Sequence, residues 1–310
     1  MPRAKKVRRM RRPVLAVLSR KKTLYSTRRL LEAARARHYR ARAIDVLRCD
    51  LVLGQQPRLF HRGKELTRIA VALPRIGASV TAIGVSVVRH LEAMGVPLVN
   101  SASAIARSRD KLAALQQLAG AGVPVPRTVL ARGGGDVREM VAQVGGLPAI
   151  LKLIQGTQGV GVMIAHSEAE VESILGTLWD LGQEILLQEF VAEAKGRDVR
   201  ALVVGERVVG AMRREARKGE FRSNLHRGGL GSAVQLEPAY SDAAVRAARV
   251  LGLEVAGVDL LESADGPKVM ELNSSPGFEG LERATGLDIA GEIIGHAAGL
   301  AEGTRRAMAL

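Results

Sequence analysis

Near the C-terminal end, two runs with apolar character, Val258-Asp259-Leu260-Leu261 and Lys268-Val269-Met270-Glu271-Leu272-Asn273, flank Ala264-Asp265-Gly266. An Asp-Gly signal between such runs predicts a β-hairpin, with Gly266 in the left-handed conformation closing two antiparallel strands. Glu271 and Asn273 then share one strand face. With a loop of Ala264-Asp265-Gly266, Asp259 falls opposite Glu271, and like charges directly across a strand pair are destabilising. A bound cation removes that conflict, and magnesium suits two carboxylates and an amide that leave coordination positions to water and phosphate oxygens. A hairpin whose acids simply face water satisfies the same residues. The following Ser274-Ser275-Pro276-Gly277 favours the cation, because a rigid turn holds Asn273 at a strand end, where functional groups concentrate.

The rest of the chain has the means to build a sheet around that hairpin. With 310 residues and 47% hydrophobic content, it can bury a sizeable core and divide into two or three domains. One cysteine, Cys49, excludes an internal disulfide and a thiolate metal site, reads as a small core residue, and fits a cytoplasmic location. Val14 to Leu18 follows a basic start but is too short for a signal peptide and runs into Ser19-Arg20-Lys21-Lys22. No stretch is long enough to span a membrane.

The net charge of +15 is unevenly spread: residues 1 to 12 hold seven of the 46 basic residues and no acid, leaving the body at +8. A polybasic arm favours nucleic acid or another polyanion through counterion release. A solubilising tail, or upstream codons read through a misplaced start, gives the same composition. Aromatic residues make up 3% of the chain, too few to stack single-stranded nucleic acid, so a dedicated nucleic-acid reader is not expected.

Val14 to Leu18 predicts a buried strand, Thr27 to His38 a helix, and Ala43 to Leu47 a second strand, a β-α-β beginning. Ile69 to Leu73 predicts a third strand before the Pro74-Arg75-Ile76-Gly77 turn, a helix through Val87 to Met94 and a short strand Pro97 to Val99. No Gly-x-Gly-x-x-Gly fingerprint follows the first strand, so this α/β unit is expected to bind substrate or to pack structurally. A helix from Asp110 to Ala119, with Asp110 as its cap, stops at Gly120-Ala121-Gly122 and Val123-Pro124-Val125-Pro126. Gly133-Gly134-Gly135 marks a loop before a helix around Asp136 to Val144.

In Ala149-Ile150-Leu151-Lys152-Leu153-Ile154 one lysine interrupts an apolar strand, and burying an unpaired ammonium is costly, so Lys152 calls for an anion. The loop Gln155-Gly156-Thr157-Gln158-Gly159-Val160-Gly161 and a strand Val162 to Ala165 follow. Its glycines allow backbone N–H groups to approach phosphate. A hairpin with a flexible tip and a snorkelling lysine fits the same segment. Glu184 to Val191 predicts another strand, Gly196 to Arg200 opens a strand through Val204, and Val208 to Met212 pairs with it. Arg213, Arg214, Arg217 and Lys218 precede Arg222-Ser223-Asn224-Leu225-His226-Arg227-Gly228-Gly229, a cationic loop suited to phosphate or carboxylate. His226 reads as a loop residue with no catalytic task.

In this order the segments resemble the ATP-grasp superfamily of carboxylate-amine ligases, and within it the RimK family of α-L-glutamate ligases. The residues that carry the resemblance are Leu24-Tyr25-Ser26, Pro74-Arg75-Ile76-Gly77, Ala106 to Leu112, Gly156 to Val162, Phe221 to Gly229, and Val258-Asp259 through Glu271 to Gly277. The arginine-serine-asparagine-leucine-histidine string is the specific one; the glycine loop alone is weak. The resemblance implies an α/β ATP-grasp fold behind an N-terminal Rossmann-like domain: a basic arm over 1–12, the pre-ATP-grasp domain over 13–106, a central subdomain over 107–190 and a C-terminal subdomain with the metal site over 191–310.

By that resemblance Lys111 and Lys152 hold ATP phosphates, Glu189 and Phe190 lie at the adenine through main-chain contacts, and Asp198 is a further nucleotide-binding position. Phe190 stands where a tyrosine is more often expected. Arg222, Ser223 and Asn224 approach the terminal phosphates; Asp259, Glu271 and Asn273 bind two Mg2+ (or Mn2+) ions bridged by Glu271. Arg200, Arg213 and Arg222 are the candidates for stabilising the transferring phosphoryl group. An acceptor carboxylate attacks the γ-phosphorus, and the amine of L-glutamate displaces phosphate from the acyl phosphate. The implied acceptor is the acidic C-terminus of a small-subunit ribosomal protein, approached by a cytoplasmic homo-oligomer whose arm contacts ribosomal RNA. An amino-group carrier protein, a cofactor or oligoglutamate as acceptor keeps the chemistry; a non-catalytic nucleotide-dependent ribosome-binding or RNA-binding module is the reading of another class.

Overall fold

The computed structural model describes residues 12–133, 135–154, 161–217 and 230–308. The wholly buried strand β1 (Val14–Leu18) is followed by α1 (Tyr25–Ala36) and β2 (Arg40–Ile44). α1 stops two residues before the sequence expectation because His38 turns to φ 62°, and β2 gives way early because Asp45 accepts the Leu47 N–H and caps a 3-10 turn over Val46–Arg48. Three short antiparallel strands follow that the sequence reading did not anticipate, β3 (Cys49–Val52), β4 (Arg58–His61) and β5 (Lys64–Glu65). Then β6 (Ile69–Pro74) returns beside β1, giving a parallel sheet of order β2-β1-β6. α2 (Thr81–Ala93) covers it with Val87, Val88 and Leu91. The strand expected at Pro97 to Val99 is reduced to one parallel bridge between Leu98 and Ala72, since Pro97 lacks an N–H and Asn100 turns the chain at φ 76°.

Two helices, α3 (Ala102–Arg109) and α4 (Lys111–Gly120), meet at Asp110. Asp110 breaks the helical backbone and its carboxylate accepts the Ala113 N–H at 2.9 Å, the capping role that an acid at this position favours. Next come β7 (Thr128–Ala131), α5 (Val137–Gln143), β8 (Ala149–Leu153), β9 (Val162–Ala165), α6 (Glu168–Asp180) and β10 (Ile185–Glu189). The strands form an antiparallel sheet of order β7-β10-β8-β9, with α5 and α6 packed on one face through Met140, Val141, Val171 and Leu175.

The last sheet is antiparallel and ordered β13-β12-β11-β14-β15, built from β11 (Arg197–Val204), β12 (Arg207–Glu215), β13 (Leu230–Ala233), β14 (Val255–Ser263) and β15 (Gly266–Asn273). The alanine-rich face of α7 (Pro238–Leu251) packs against Val199, Ala201, Val258 and Leu272. After α8 (Glu279–Thr285), the long α9 (Ile289–Met308) inserts Ile293, Ile294 and Ala297 between the first and last sheets, in one core with Leu15, Val71, Leu202 and Val204. No helix among the described residues is long and apolar enough to cross a membrane.

One polar residue staples these parts. Asn100 is 1% exposed; its amide donates to the carbonyls of Val255 at 2.8 Å and Ser274 at 2.9 Å and accepts from the N–H groups of Glu254 at 2.8 Å and Val255 at 3.0 Å. It thereby fixes the turn that follows Asn273. Asn100→Ala leaves four buried main-chain partners unpaired and is expected to cost about 3 kcal/mol, measured as a shift in denaturant midpoint.

Candidate active site

The hairpin that opened the sequence reading is closed by a turn of Ala264-Asp265, because Ser263 pairs with Gly266, rather than by the three-residue loop expected. The expected pairing of Asp259 with Glu271 nevertheless occurs, because a bulge between Asp259 and Leu260 absorbs Met270 and restores the register. Glu271 is exposed, and neither it nor Asn273 has a side-chain hydrogen bond or ion pair among the described residues.

Asp259 is neutralised from the adjoining strands. Arg200, its cross-strand partner, donates from Nε and Nη2 to the two carboxylate oxygens at 2.6 Å each. Arg214 Nη2 lies 3.0 Å from the same carboxylate, while its Nε donates to Asp198 at 2.6 Å. Arg214, Asp198 and Asp259 are all nearly inaccessible, so this balanced quartet avoids an isolated buried ion. Burial pushes Asp259 upward, but the Arg200 and Arg214 guanidiniums outweigh it and hold the carboxyl below its ordinary range. The cation that offsets the acids at Asp259 is therefore arginine.

Across the cleft, β8 presents Lys152 and the start of α4 presents Lys111. Lys152 Nζ donates to Gln188 Oε1 at 2.5 Å, and Gln188 in turn donates to Thr128 at 2.8 Å. Lys111 Nζ donates to the Leu153 carbonyl at 2.9 Å. Both line one cavity with Gln188, Met270 and Glu271. Burial drives the Lys152 pKa down to about 8, with Lys111 adding to the shift and Glu271 and Asp259 opposing it. Lys111 is lowered by burial as well, against Glu271. Two poorly solvated ammonium groups thus face a free carboxylate, a field suited to a polyanion that arrives with a divalent cation.

One residue beyond Gln188, where β10 ends, the Glu189 carboxylate accepts from Lys268 Nζ at 2.6 Å and from the Arg127 N–H at 3.0 Å. Burial raises it, but these partners bring its pKa below the ordinary value. Its own N–H is also engaged, by the Arg127 carbonyl at 2.8 Å. Partly buried Phe190 follows directly.

Arg213 does not face this cleft. It sits on the opposite sheet face and grips Glu262 through two bonds of 3.1 and 2.6 Å; Arg214 occupies the face expected of it. The cause is a bulge between Leu202 and Val203 on the β11–β12 ladder. An unbroken ladder from the Val204–Arg207 pair would put Arg213 opposite Asp198, but the extra residue Val209 places Arg214 there and turns Arg213 away. Arg222, Ser223, Asn224, His226 and the loop Gln155 to Val160 lie outside the described residues. Gln188, Lys268, Arg127 and Asn100 escaped the sequence reading; only the polar Gln188 inside an apolar strand left a signal in one dimension.

The site's donors are hard oxygens, the chemistry magnesium favours. Glu271 and Asn273 are available to it, whereas Asp259 would share its carboxylate with Arg200 and Arg214. Among the described residues no group of three or more His, Cys, Asp or Glu side chains is close enough to hold a metal ion.

A cleft lined from two antiparallel sheets, behind a parallel α/β domain, is the architecture of an ATP-grasp ligase. The family model of the RimK-like ATP-grasp domain matches residues 108–297, and that of the RimK pre-ATP-grasp domain matches residues 14–105. The chain belongs to the RimK family of ATP-dependent α-L-glutamate ligases. A probable alpha-L-glutamate ligase of Pseudoalteromonas translucida is 50% identical over 281 residues, covering 90% of this chain and 93% of the relative. A probable alpha-L-glutamate ligase of Thioalkalivibrio sulfidiphilus has the same identity and coverage. Among solved structures, the ATP-grasp ligase PsnB complexed with minimal precursor superposes with a TM-score of 0.75 at 25% identity, covering 93% of this chain and 99% of that one. A RimK domain protein from Sphaerobacter thermophilus gives 0.69 at 27% identity, covering 91% and 98%. ATP-grasp ligases use ATP and Mg2+, and PsnB has also been solved with Mg and ADP.

Proposed function

We propose that this ligase adds L-glutamate to the C-terminal carboxylate of a small-subunit ribosomal protein through an acyl phosphate, extending it to oligoglutamate where the product is again a substrate. The observation that carries the reading is the pair of desolvated lysines, Lys111 and Lys152, facing across one cavity the carboxylate of Glu271, which has no partner among the described residues. In this reading the lysines hold the ATP phosphates, Glu189 and Phe190 border the adenine, and Arg222, Ser223 and Asn224 approach the γ-phosphate. Glu271, Asn273 and Asp259 hold the Mg2+ or Mn2+, as two ions, which neutralise phosphate charge when bound. Arg200 and Arg214 fix Asp259 and supply positive potential to the phosphoryl group in flight.

The acceptor carboxylate oxygen bonds to the γ-phosphorus as the bond to ADP breaks. The glutamate amine then attacks the acyl carbon, loses a proton, and expels inorganic phosphate. The division of the chain near residues 106 and 190, a homo-oligomeric state, a cytoplasmic location and a ribosomal RNA contact through residues 1–12 belong to the same reading. The basic body of the chain supports an acidic acceptor. Incubation with ATP, magnesium, L-glutamate and, separately, a ribosomal-protein C-terminal peptide, an amino-group carrier protein or oligoglutamate decides the acceptor by intact mass. The reading predicts glutamyl addition to the ribosomal peptide; addition to the carrier protein alone overturns it.

A further inference from the structure

Two arginines on the other side of Glu271 form no ion pair with an acid among the described residues. Arg75, in the Pro74-Arg75-Ile76-Gly77 turn after β6, has no hydrogen bond or ion pair from its guanidinium among the described residues. Its one aromatic neighbour is the buried ring of Phe278, 5.9 Å from Cζ to centroid. Arg109, the last residue of α3, donates from Nη2 to the Ile76 carbonyl, while its Nε is buried without a partner. Beside them, Ser274 is 3% exposed and its hydroxyl also lacks a partner; it lines the same small cavity as Arg75.

The contrast with the neighbouring sheet is sharp, since Arg200, Arg213 and Arg214 each grip a carboxylate. Burial, and then the charge of Arg109, lowers the Arg75 pKa to about 10, and burial lowers Arg109 against the pull of Glu271. Arg75 and Arg109 are both half-buried; partly desolvated cations without a bonded acid give a protein no stability, and such groups concentrate where a ligand completes them. The Arg75 guanidinium, Arg109 Nε and the Ser274 hydroxyl are left without acceptors among the described residues. A guanidinium fork matches a carboxylate in two parallel bonds. Phosphate has its cations on the opposite wall, at Lys111 and Lys152, so the anion left to serve is a carboxylate of the substrate being joined.

We propose that Arg75, Arg109 and Ser274 form a carboxylate-binding subsite through which the N-terminal domain holds the ligase's acidic substrate beside Glu271. This rests on the ligase reading above and names what that site recognises. It also gives the N-terminal domain, which lacks a nucleotide fingerprint, a direct share in selecting substrate. The carboxylate can belong to incoming L-glutamate or to the acidic acceptor, and the test separates the two.

Titration calorimetry on the full chain loaded with magnesium and ADP measures L-glutamate and an acidic acceptor peptide in separate arms. Arg75→Gln and Arg109→Gln are each expected to weaken one of these ligands by roughly tenfold to a hundredfold, leaving ADP affinity within about twofold. Loss confined to L-glutamate assigns the subsite to the incoming amino acid; loss confined to the peptide assigns it to the acceptor. Because Arg75→Gln removes an unpaired cation, its thermal midpoint should not fall below that of the unaltered chain. Arg75→Lys keeps the charge, loses the fork and should show the same ligand loss even if the glutamine variant does not fold. Unchanged affinity for both ligands in the variants, or an unaltered chain that binds neither, overturns the subsite. The ligase reading fails on a different result, a chain that binds L-glutamate yet releases no ADP when given ATP and acceptor.

Discussion

Glu271→Gln is expected to lower glutamate-dependent ADP release by roughly a hundredfold to a thousandfold while leaving the thermal midpoint unchanged. Glu271 is exposed and has no side-chain partner among the described residues, so the fold does not depend on it. Its charge instead reaches Lys111, Lys152 and Arg109, raising the proton affinity of all three. Glutamine preserves the shape and removes that charge, along with the carboxylate available to magnesium. Glu262→Gln is the control on the same hairpin: it weakens a partly exposed pair with Arg213 on the far face, costs about 0.5 kcal/mol, and should leave turnover within about twofold. Steady-state ADP release on both variants checks the pair. Equal losses in the two would show that the hairpin matters as a scaffold and not through Glu271.

Lys152→Met is expected to abolish measurable ATP binding and, at the same time, to stabilise the ligand-free chain by roughly 1–3 kcal/mol. The sign follows from linkage. The native lysine has a pKa of about 8, below its ordinary 10.5, so between those values the unfolded chain binds more protons than the native one. Native stability contributed by this residue therefore rises as pH climbs from about 8 towards 10.5, and below 8 the buried charge costs stability. Methionine removes that cost and fills the volume. In the unaltered chain, ATP affinity should weaken as pH rises through about 8 and the ammonium is lost, a trend absent from the methionine variant. Chemical denaturation and equilibrium binding across pH 6 to 9.5 measure both. A destabilised Lys152→Met chain that still binds ATP would contradict the assignment.

Much of this architecture can be read in one dimension because it rests on local alternation and punctuation. The all-apolar run Val14 to Leu18, Lys152 within an apolar strand and the Asp-Gly turn of the hairpin are each signals a few residues long. What resisted reading depends on how strands are laid side by side. Arg213 and Arg214 are neighbours in sequence, and only the bulge at Val209 decides which faces Asp198. The Asp259–Glu271 pairing was anticipated through a loop one residue too long, and the bulge at Met270 restored it. Asn100, whose partners lie more than 150 residues away, and the unpaired state of Arg75 and Arg109 exist only once the sheets have met. The short sheet β3-β4-β5 lacks the sustained apolar alternation that marks a strand, so the stretch between β2 and β6 carries no strand signal in one dimension.

The central property proposed for this cleft is that it couples ATP to activation of a carboxylate. An acceptor peptide carrying oxygen-18 in its terminal carboxylate tests that directly, with the phosphate released during glutamyl addition analysed by mass. In the first round of addition, attack of that carboxylate on the γ-phosphorus transfers one labelled oxygen to inorganic phosphate for each peptide extended. Unlabelled phosphate, or ATP consumption without any glutamyl product, would contradict it.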